Sequence, residues 1–193
     1  MARISLDPPR TPAYRLAAWF TRRKFGKELD PGRAMGHHLG VSTAYVTFEA
    51  QVLRWKALPH RLKDLACMAA SVRIGCSWCV DYATWESNMH GMPLEKIEAV
   101  PHWRDSDLFA DDERLVLEYA EAMTADPPEV TDELTEALRR YLTEKQLVEL
   151  TMIVALENLR SRFNAAAGLT GQGFKDRCEI PSDPGAAASR HDA

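Results

Sequence analysis

Two cysteines three residues apart carry the first chemical signal in this chain, within Arg73-Ile74-Gly75-Cys76-Ser77-Trp78-Cys79-Val80-Asp81-Tyr82. A glycine ends one helical pattern there, and a second helix begins inside the Cys-x-x-Cys. A thiol at that junction meets free backbone N–H groups and the positive end of a helix dipole, and both favour the thiolate. An ordinary thiol is only about 3% ionised at pH 7, so a lowered pKa multiplies the reactive population. Two cysteines on one turn can also close a disulfide, one attacking and the other resolving. Three assignments compete for the pair. Half of a zinc site would need about four ligands, yet there is no second Cys-x-x-Cys, and His37 and His38 are adjacent, not spaced. The cysteines could be small buried hydrophobes. The third assignment is a redox dithiol, which in a thioredoxin-type protein would require a βαβ setting.

The elements that must hold this pair read as helical throughout, with no strand-like alternation, so the expected fold class is all-α. Residues 12–25 form an amphipathic basic helix with Arg15, Arg22, Arg23 and Lys24 on its polar side. Gly and Pro mark residues 31–40 as a loop. A helical pattern over 41–57 places Tyr45, Phe48, Val52 and Trp55 together. Pro59 opens the next helix and Gly75 ends it. The cysteine helix then runs from about Ser77 to His90. Further helices are expected from Pro93 to Val100, over 109–125, and from Thr131 to Leu142. A Thr143-x-x-Gln146 capping box starts a long helix to Ala167, closed by Gly168. The expected organisation is a single domain over 1–174, with 1–40 an N-terminal extension and 41–174 the core, then a flexible tail over 175–193.

Composition narrows the function classes. The chain has 193 residues, with 24 basic against 28 acidic side chains and a net charge of −4. No dense basic patch offers itself to nucleic acid. With 46% hydrophobic residues the chain can build a core without staples, and four cysteines do not make a disulfide scaffold. No secretory signal pattern and no apolar run of membrane-spanning length stands out. The expected setting is the reducing cytoplasm, where a close cysteine pair is catalytic or metal-binding more often than structural.

The Cys76-Ser-Trp-Cys79 hairpin, with the Arg-Ile-Gly helix end and the Leu62-Lys-Asp-Leu-Ala66 run before it, resembles the carboxymuconolactone decarboxylase family, and within it the alkylhydroperoxidase D-like branch. The resemblance covers roughly residues 40–170, with weaker matches at Glu118–Glu121, Leu147–Leu150 and Glu157–Arg160. It implies a helical bundle built on a helix–CxxC–helix hairpin, assembly into homo-oligomers, and peroxide reduction through a sulfenic acid. It makes Cys79 the peroxide-reacting thiol and Cys76 its resolving partner. The family's relay glutamate, twelve residues before the first cysteine, falls on Asp64, and its relay histidine, four residues after the second, falls on Ala83. No metal or organic cofactor is implied; the partners are a hydroperoxide or other small organic substrate, a dithiol electron donor and further copies of the chain.

The alanine is a departure with chemical weight. Position 83 lies one helical turn from Cys79, where a histidine could take the thiol proton. His90 is eleven residues on, about 16 Å along a helix. A plain hairpin turning at Gly75 sets Asp64 opposite about Glu86, an acid pair and not an acid–histidine relay. His37 and His38 could approach from another segment. The expected activity is therefore thiol-dependent peroxide reduction or disulfide relay, weak for want of a base. Two alternatives keep the fold: a lactone decarboxylase or isomerase-like enzyme, and a non-enzymatic oligomeric small-molecule binder.

Other residues divide between packing and function. Trp78, Tyr82, Trp85 and Met89 share a helix face and read as core or subunit interface, with an apolar substrate pocket as the functional version. Cys67 reads as an interior small residue and Cys178 as a bystander in the tail. His60 and His102 read as surface or capping groups. Glu157, Asn158, Arg160, Arg162 and Asn164 make the last helix polar in its middle, as a solvated or inter-subunit face or as a buried cluster pairing Glu157 with Arg160; neither gives them a catalytic role.

Overall fold

A computed structural model describes residues 2–178, and among them every regular element is helical. Thr11 caps α1 (Pro12–Phe25), accepting the Tyr14 N–H. The segment expected to be a loop instead contains α2 (Asp30–Met35). Pro31 starts this helix rather than breaking it, because proline lacks only an N–H that a first turn leaves free. The third helix, α3 (Leu39–Val52), ends five residues earlier than expected. Its continuation folds back, so that Trp55 meets Phe48 edge-on at 6.1 Å.

The hairpin that carries the cysteines is α4 (His60–Ile74) followed by α5 (Ser77–Met89). Gly75 joins them at φ 77°, a left-handed conformation that lets its N–H close the end of α4 on Ser71 and Val72. After α6 (Leu94–Ala99), the expected linker winds into a 3₁₀ turn over Val100–Asp105. Then come α7 (Asp111–Thr124), α8 (Asp132–Arg139) and α9 (Glu144–Ala167). The Thr143/Gln146 capping box forms as expected, and Thr131 caps α8.

The core lies around α4, which packs against α5, α7 and α9. Leu62, Leu65, Ala66, Ala69 and Ala70 of α4 are buried against Val116, Leu117 and Ala120 of α7 and Leu150 and Val154 of α9. A second cluster surrounds the cysteines: Phe25, Cys76, Trp78, Cys79, Ala167, Leu169 and Phe174. Past residue 174 the described chain forms a short 3₁₀ turn, Lys175–Arg177, against α5; most of the expected tail, residues 179–193, lies outside the described residues. Among the described residues no helix is long and apolar enough to cross a membrane.

Candidate functional site

Cys76 is not in the helix it precedes. It is the N-cap of α5, and its Sγ accepts the Cys79 N–H at 3.2 Å. That amide is one of the donors a helix start leaves without an intrahelical partner, so the local fold delivers it to sulfur. Cys79 sits one turn inside, and the two are joined as a disulfide. Both are almost wholly buried, at 2% and 4% exposure.

The second sulfur has a donor from far along the chain. Asn164 Nδ2 of α9 lies 3.3 Å from Cys79 Sγ, 85 residues away in sequence. Asn164 is itself buried, and its Oδ1 has no hydrogen-bond partner among the described residues. An unpaired buried acceptor costs about 1–3 kcal/mol, so the amide is held at a penalty. Residues 150, 154, 157, 161 and 164 fall on one inward stripe of α9, which changes from Leu and Val to Glu, Ser and Asn as it nears the cysteines. That switch was the available sequence signal for Asn164, and helical spacing alone would have exposed it.

Glu157, Ser161 and Asn164 form a buried cluster with the half-buried Arg160, while Arg162 of the same helix is exposed. Glu157 accepts from Ser71 of α4 at 2.9 Å and from Ser161 at 2.8 Å, and pairs with Arg160 at 3.3 Å. Arg160 also grips Glu49 of α3 through two hydrogen bonds, at 2.8 and 2.5 Å. Burial pushes the Glu157 carboxyl above the usual carboxylate range against the pull of Arg160. Cys67 lies beside this cluster; burial, with the charge of Glu157 added, pushes its thiol up and makes it a poor nucleophile at neutral pH.

Asp64 is not brought to the sulfurs. Its Oδ2 lies 2.9 Å from His90 Nδ1, where the open ends of the hairpin meet. The expected opposition of Asp64 and Glu86 is present electrostatically, since burial first and the Asp64 charge second raise the Glu86 carboxyl. The acid-only reading is corrected by His90, which joins them because the last turn of α5 carries it round to the α4 side. Tyr82 Oη donates to Glu86 Oε1 at 3.1 Å, and the His60 ring, exposed as expected of a surface group, lies tilted against His90 with centroids 4.9 Å apart. A cleft of about 230 Å³ opens here, lined by Arg61, Asp64, His90, Met92, Lys96 and Glu113. Between this cluster and Cys79 stands buried Ala83, which has no proton to offer or take. His37 and His38 are engaged elsewhere. His37 Nε2 bonds Ser5 O at 2.9 Å, and His38 Nδ1 caps α3.

The aromatic stripe is packing rather than pocket. Trp78 stacks on Tyr82 at 5.3 Å, and Phe174 lies against Tyr82 and Trp85 at 5.4 and 5.5 Å. Met89, its fourth member, is exposed. Asp81 fastens the cover: its carboxylate accepts the backbone N–H groups of Gln172 at 2.6 Å, Phe174 at 3.1 Å and Lys175 at 2.9 Å. Gln172 in turn accepts from Trp78 Nε1 at 2.8 Å. The N-terminal arm closes the other side, with Arg3 donating to Ala165 O and Ala166 O at the carbonyl end of α9.

Comparisons with known proteins agree with this geometry. Residues 40–122 match the carboxymuconolactone decarboxylase family. The chain is 34% identical over 165 residues to the uncharacterized protein YnjA of Escherichia coli (strain K12), covering 85% of this chain and 89% of that one. A solved structure from Agrobacterium tumefaciens, ATU0492, whose name proposes an AhpD antioxidant defence protein, is 26% identical with a TM-score of 0.63, covering 67% of this chain and 88% of that one. The debrominase Bmp8 shares the fold at 22% identity and a TM-score of 0.75, over 86% of this chain and 89% of its own. With its all-helical bundle and its Cys76–Cys79 pair at the α4–α5 turn, the chain belongs to the carboxymuconolactone decarboxylase family and is AhpD-like within it.

Proposed function

We propose that the chain reduces hydroperoxides through its dithiol, with Cys79 as the attacking sulfur and Cys76 as the resolving one. The observation that carries this reading is the pair itself, two sulfurs in bonding contact at a helix start, each with an N–H donor. The Cys79 thiolate attacks the terminal oxygen of R–O–OH; the O–O bond breaks, giving Cys79–S–OH and an alkoxide. The proton lost by the Cys79 thiol is balanced by the one that makes the alkoxide an alcohol. Cys76–SH then displaces water from the sulfenic acid to form the disulfide. A dithiol donor reduces it, becoming a disulfide itself.

Ala83 sets the expected pace. General base assistance contributes roughly 10² to 10⁴ in rate, and no base lies one turn from Cys79. Asp64, paired with His90, would act only remotely, as the acid–base group at the open end of the hairpin. Self-association fits the same reading, because α3 exposes Leu39, Val41, Val46 and Phe48 and α1 exposes Leu16, Trp19 and Phe20.

The test is to add one equivalent of an organic hydroperoxide to the reduced protein. Formation of the Cys76–Cys79 disulfide with loss of peroxide is expected, and Cys79→Ser abolishes both. Thiols that stay reduced would favour a non-thiol enzyme or a binder on the same fold.

A further inference from the structure

We infer that Asn164 is a catalytic residue of the thiol chemistry proposed above, on which this assignment rests: its Nδ2 donates to the Cys79 sulfur, and its Oδ1 receives the O–H of the incoming hydroperoxide. Three observations meet in this one side chain. The donor contact to Cys79 Sγ is 3.3 Å, within the reach allowed to sulfur. The side chain is 2% exposed, so neither end of the amide is held there by water at the surface. The opposite atom, Oδ1, is a buried acceptor with no partner among the described residues.

The chemistry uses both ends of the amide. A thiolate is a stronger acceptor than a disulfide sulfur, so the Nδ2 contact tightens when Cys79 is reduced and ionised, and it lowers the thiol pKa. Burial works the other way, as it raises the pKa of any thiol in apolar surroundings. Asn164 is the side-chain donor set against that burial, where the family pattern would use a base at position 83. Its free oxygen is the other end of the same amide. A hydroperoxide whose O–H is accepted there presents its terminal oxygen to Cys79 Sγ. That hydrogen stays on the oxygen through the attack, so it becomes the sulfenic acid O–H and keeps its bond to Oδ1. Asn164 transfers no proton; it orients the electrophile and stabilises the charged nucleophile. Hydrogen peroxide and primary alkyl hydroperoxides fit this demand, as each carries the O–H donor; a dialkyl peroxide carries none and is excluded.

The experiment reads the Cys79 thiolate directly, as absorbance at 240 nm against pH. It uses Cys76→Ser with Cys76→Ser/Cys79→Ser as the blank, and adds Asn164→Asp and Asn164→Leu to that background. Both replacements keep the branching of asparagine and remove the amide donor; the aspartate matches it in size, and the bulkier leucine also removes the orphan acceptor. A charge-assisted hydrogen bond of ordinary strength predicts that the midpoint rises by about 1 to 2 pH units in the leucine variant, and further in the aspartate variant. A midpoint unmoved in variants that melt cooperatively overturns the assignment; should one variant fail to fold, the other decides. Peroxide consumption by the two-cysteine parent, beside its Asn164→Asp variant, separates the two readings. A shifted midpoint with a parent that consumes no peroxide leaves Asn164 as the thiolate's donor and removes the peroxidase function. Consumption that continues at the parent rate and pH profile with an unmoved midpoint keeps the function and removes Asn164 from it.

Discussion

The Asp64 carboxylate and the His90 imidazole, 26 residues apart, meet at 2.9 Å and join the open ends of the α4–α5 hairpin. The hydrogen bond that His90 donates to Asp64 is the main cause of a raised His90 pKa, with partial burial opposing it and the Asp64 and Glu86 charges adding to it. The His60 ring lies tilted against the same imidazole. A raised histidine stabilises the fold fully below its unfolded value, and that contribution is lost as pH climbs through the folded value. Asp64→Asn should therefore flatten the decline in melting temperature as pH rises above about 6.5, and bring the His90 proton titration back towards its ordinary value. An unchanged His90 titration in the variant would mean that the pair is not formed in solution.

Arg160 stands between Glu49 of α3 and Glu157 of its own helix, and both carboxylates depend on it. Its guanidinium holds Glu49 below the usual carboxylate range although burial works the other way. Removing the cation alone leaves two carboxylates facing a low-dielectric interior. Arg160→Met should cost about 3–5 kcal/mol in urea unfolding. Arg160→Met combined with Glu157→Gln and Glu49→Gln should recover part of that loss, because the uncompensated charges are then gone. Recovery would separate a charge penalty from lost packing.

Asp81 binds the segment after α9 to the cysteine helix with three backbone N–H groups, and Phe174, fully buried, is what that grip places over Trp78, Tyr82 and Trp85. Asp81→Ala strands those donors and frees the aromatic cover. The expected destabilisation is on the order of 3 kcal/mol, since hydrogen bonds to a charged acceptor exceed neutral ones. Tryptophan emission should shift to longer wavelength, and reduction of the Cys76–Cys79 disulfide by a small dithiol should become faster. Unchanged reduction kinetics would show that reductant reaches the buried disulfide by another route.

What could be read before the structure was local. The caps at Gly75, Gly168, Thr131 and Thr143 follow from residue types within one turn, and so does the hairpin that presents Cys76 and Cys79. The departures are local as well: Pro31 starts a helix rather than breaking one, and α3 stops at Val52 where Trp55 turns back onto Phe48. What stayed hidden was long-range. Asn164 reaches Cys79 across 85 residues, Asp81 reaches Phe174 across 93, and Arg160 reaches Glu49 across 111. A side chain's polarity says that it needs a partner when buried, but not which one. The His90 partnership shows the intermediate case. Hairpin arithmetic brought Asp64 to the right end of α5, and one further turn of helix decided that the partner was a histidine.

Ala83 is where the site departs from its family pattern, and its surroundings govern what can be restored there. It is buried and packs in the main cluster that includes Leu65, Met68 and Ala69, while Cys79, one turn earlier, packs in the aromatic cluster. A histidine introduced at 83 would reach back towards Cys79 on the same helix face, yet it must displace neighbours in a filled core. Ala83→His should therefore lower stability by about 1–3 kcal/mol. It should also raise the rate of peroxide consumption above pH 7, with the gain disappearing as the imidazole protonates below about pH 6.5. Ala83→Leu controls for volume: it should carry the same stability loss and no gain in rate. If the histidine variant folds and reacts no faster than the leucine variant at any pH, proton removal from Cys79 does not limit this protein, and access to the buried sulfur becomes the step to measure.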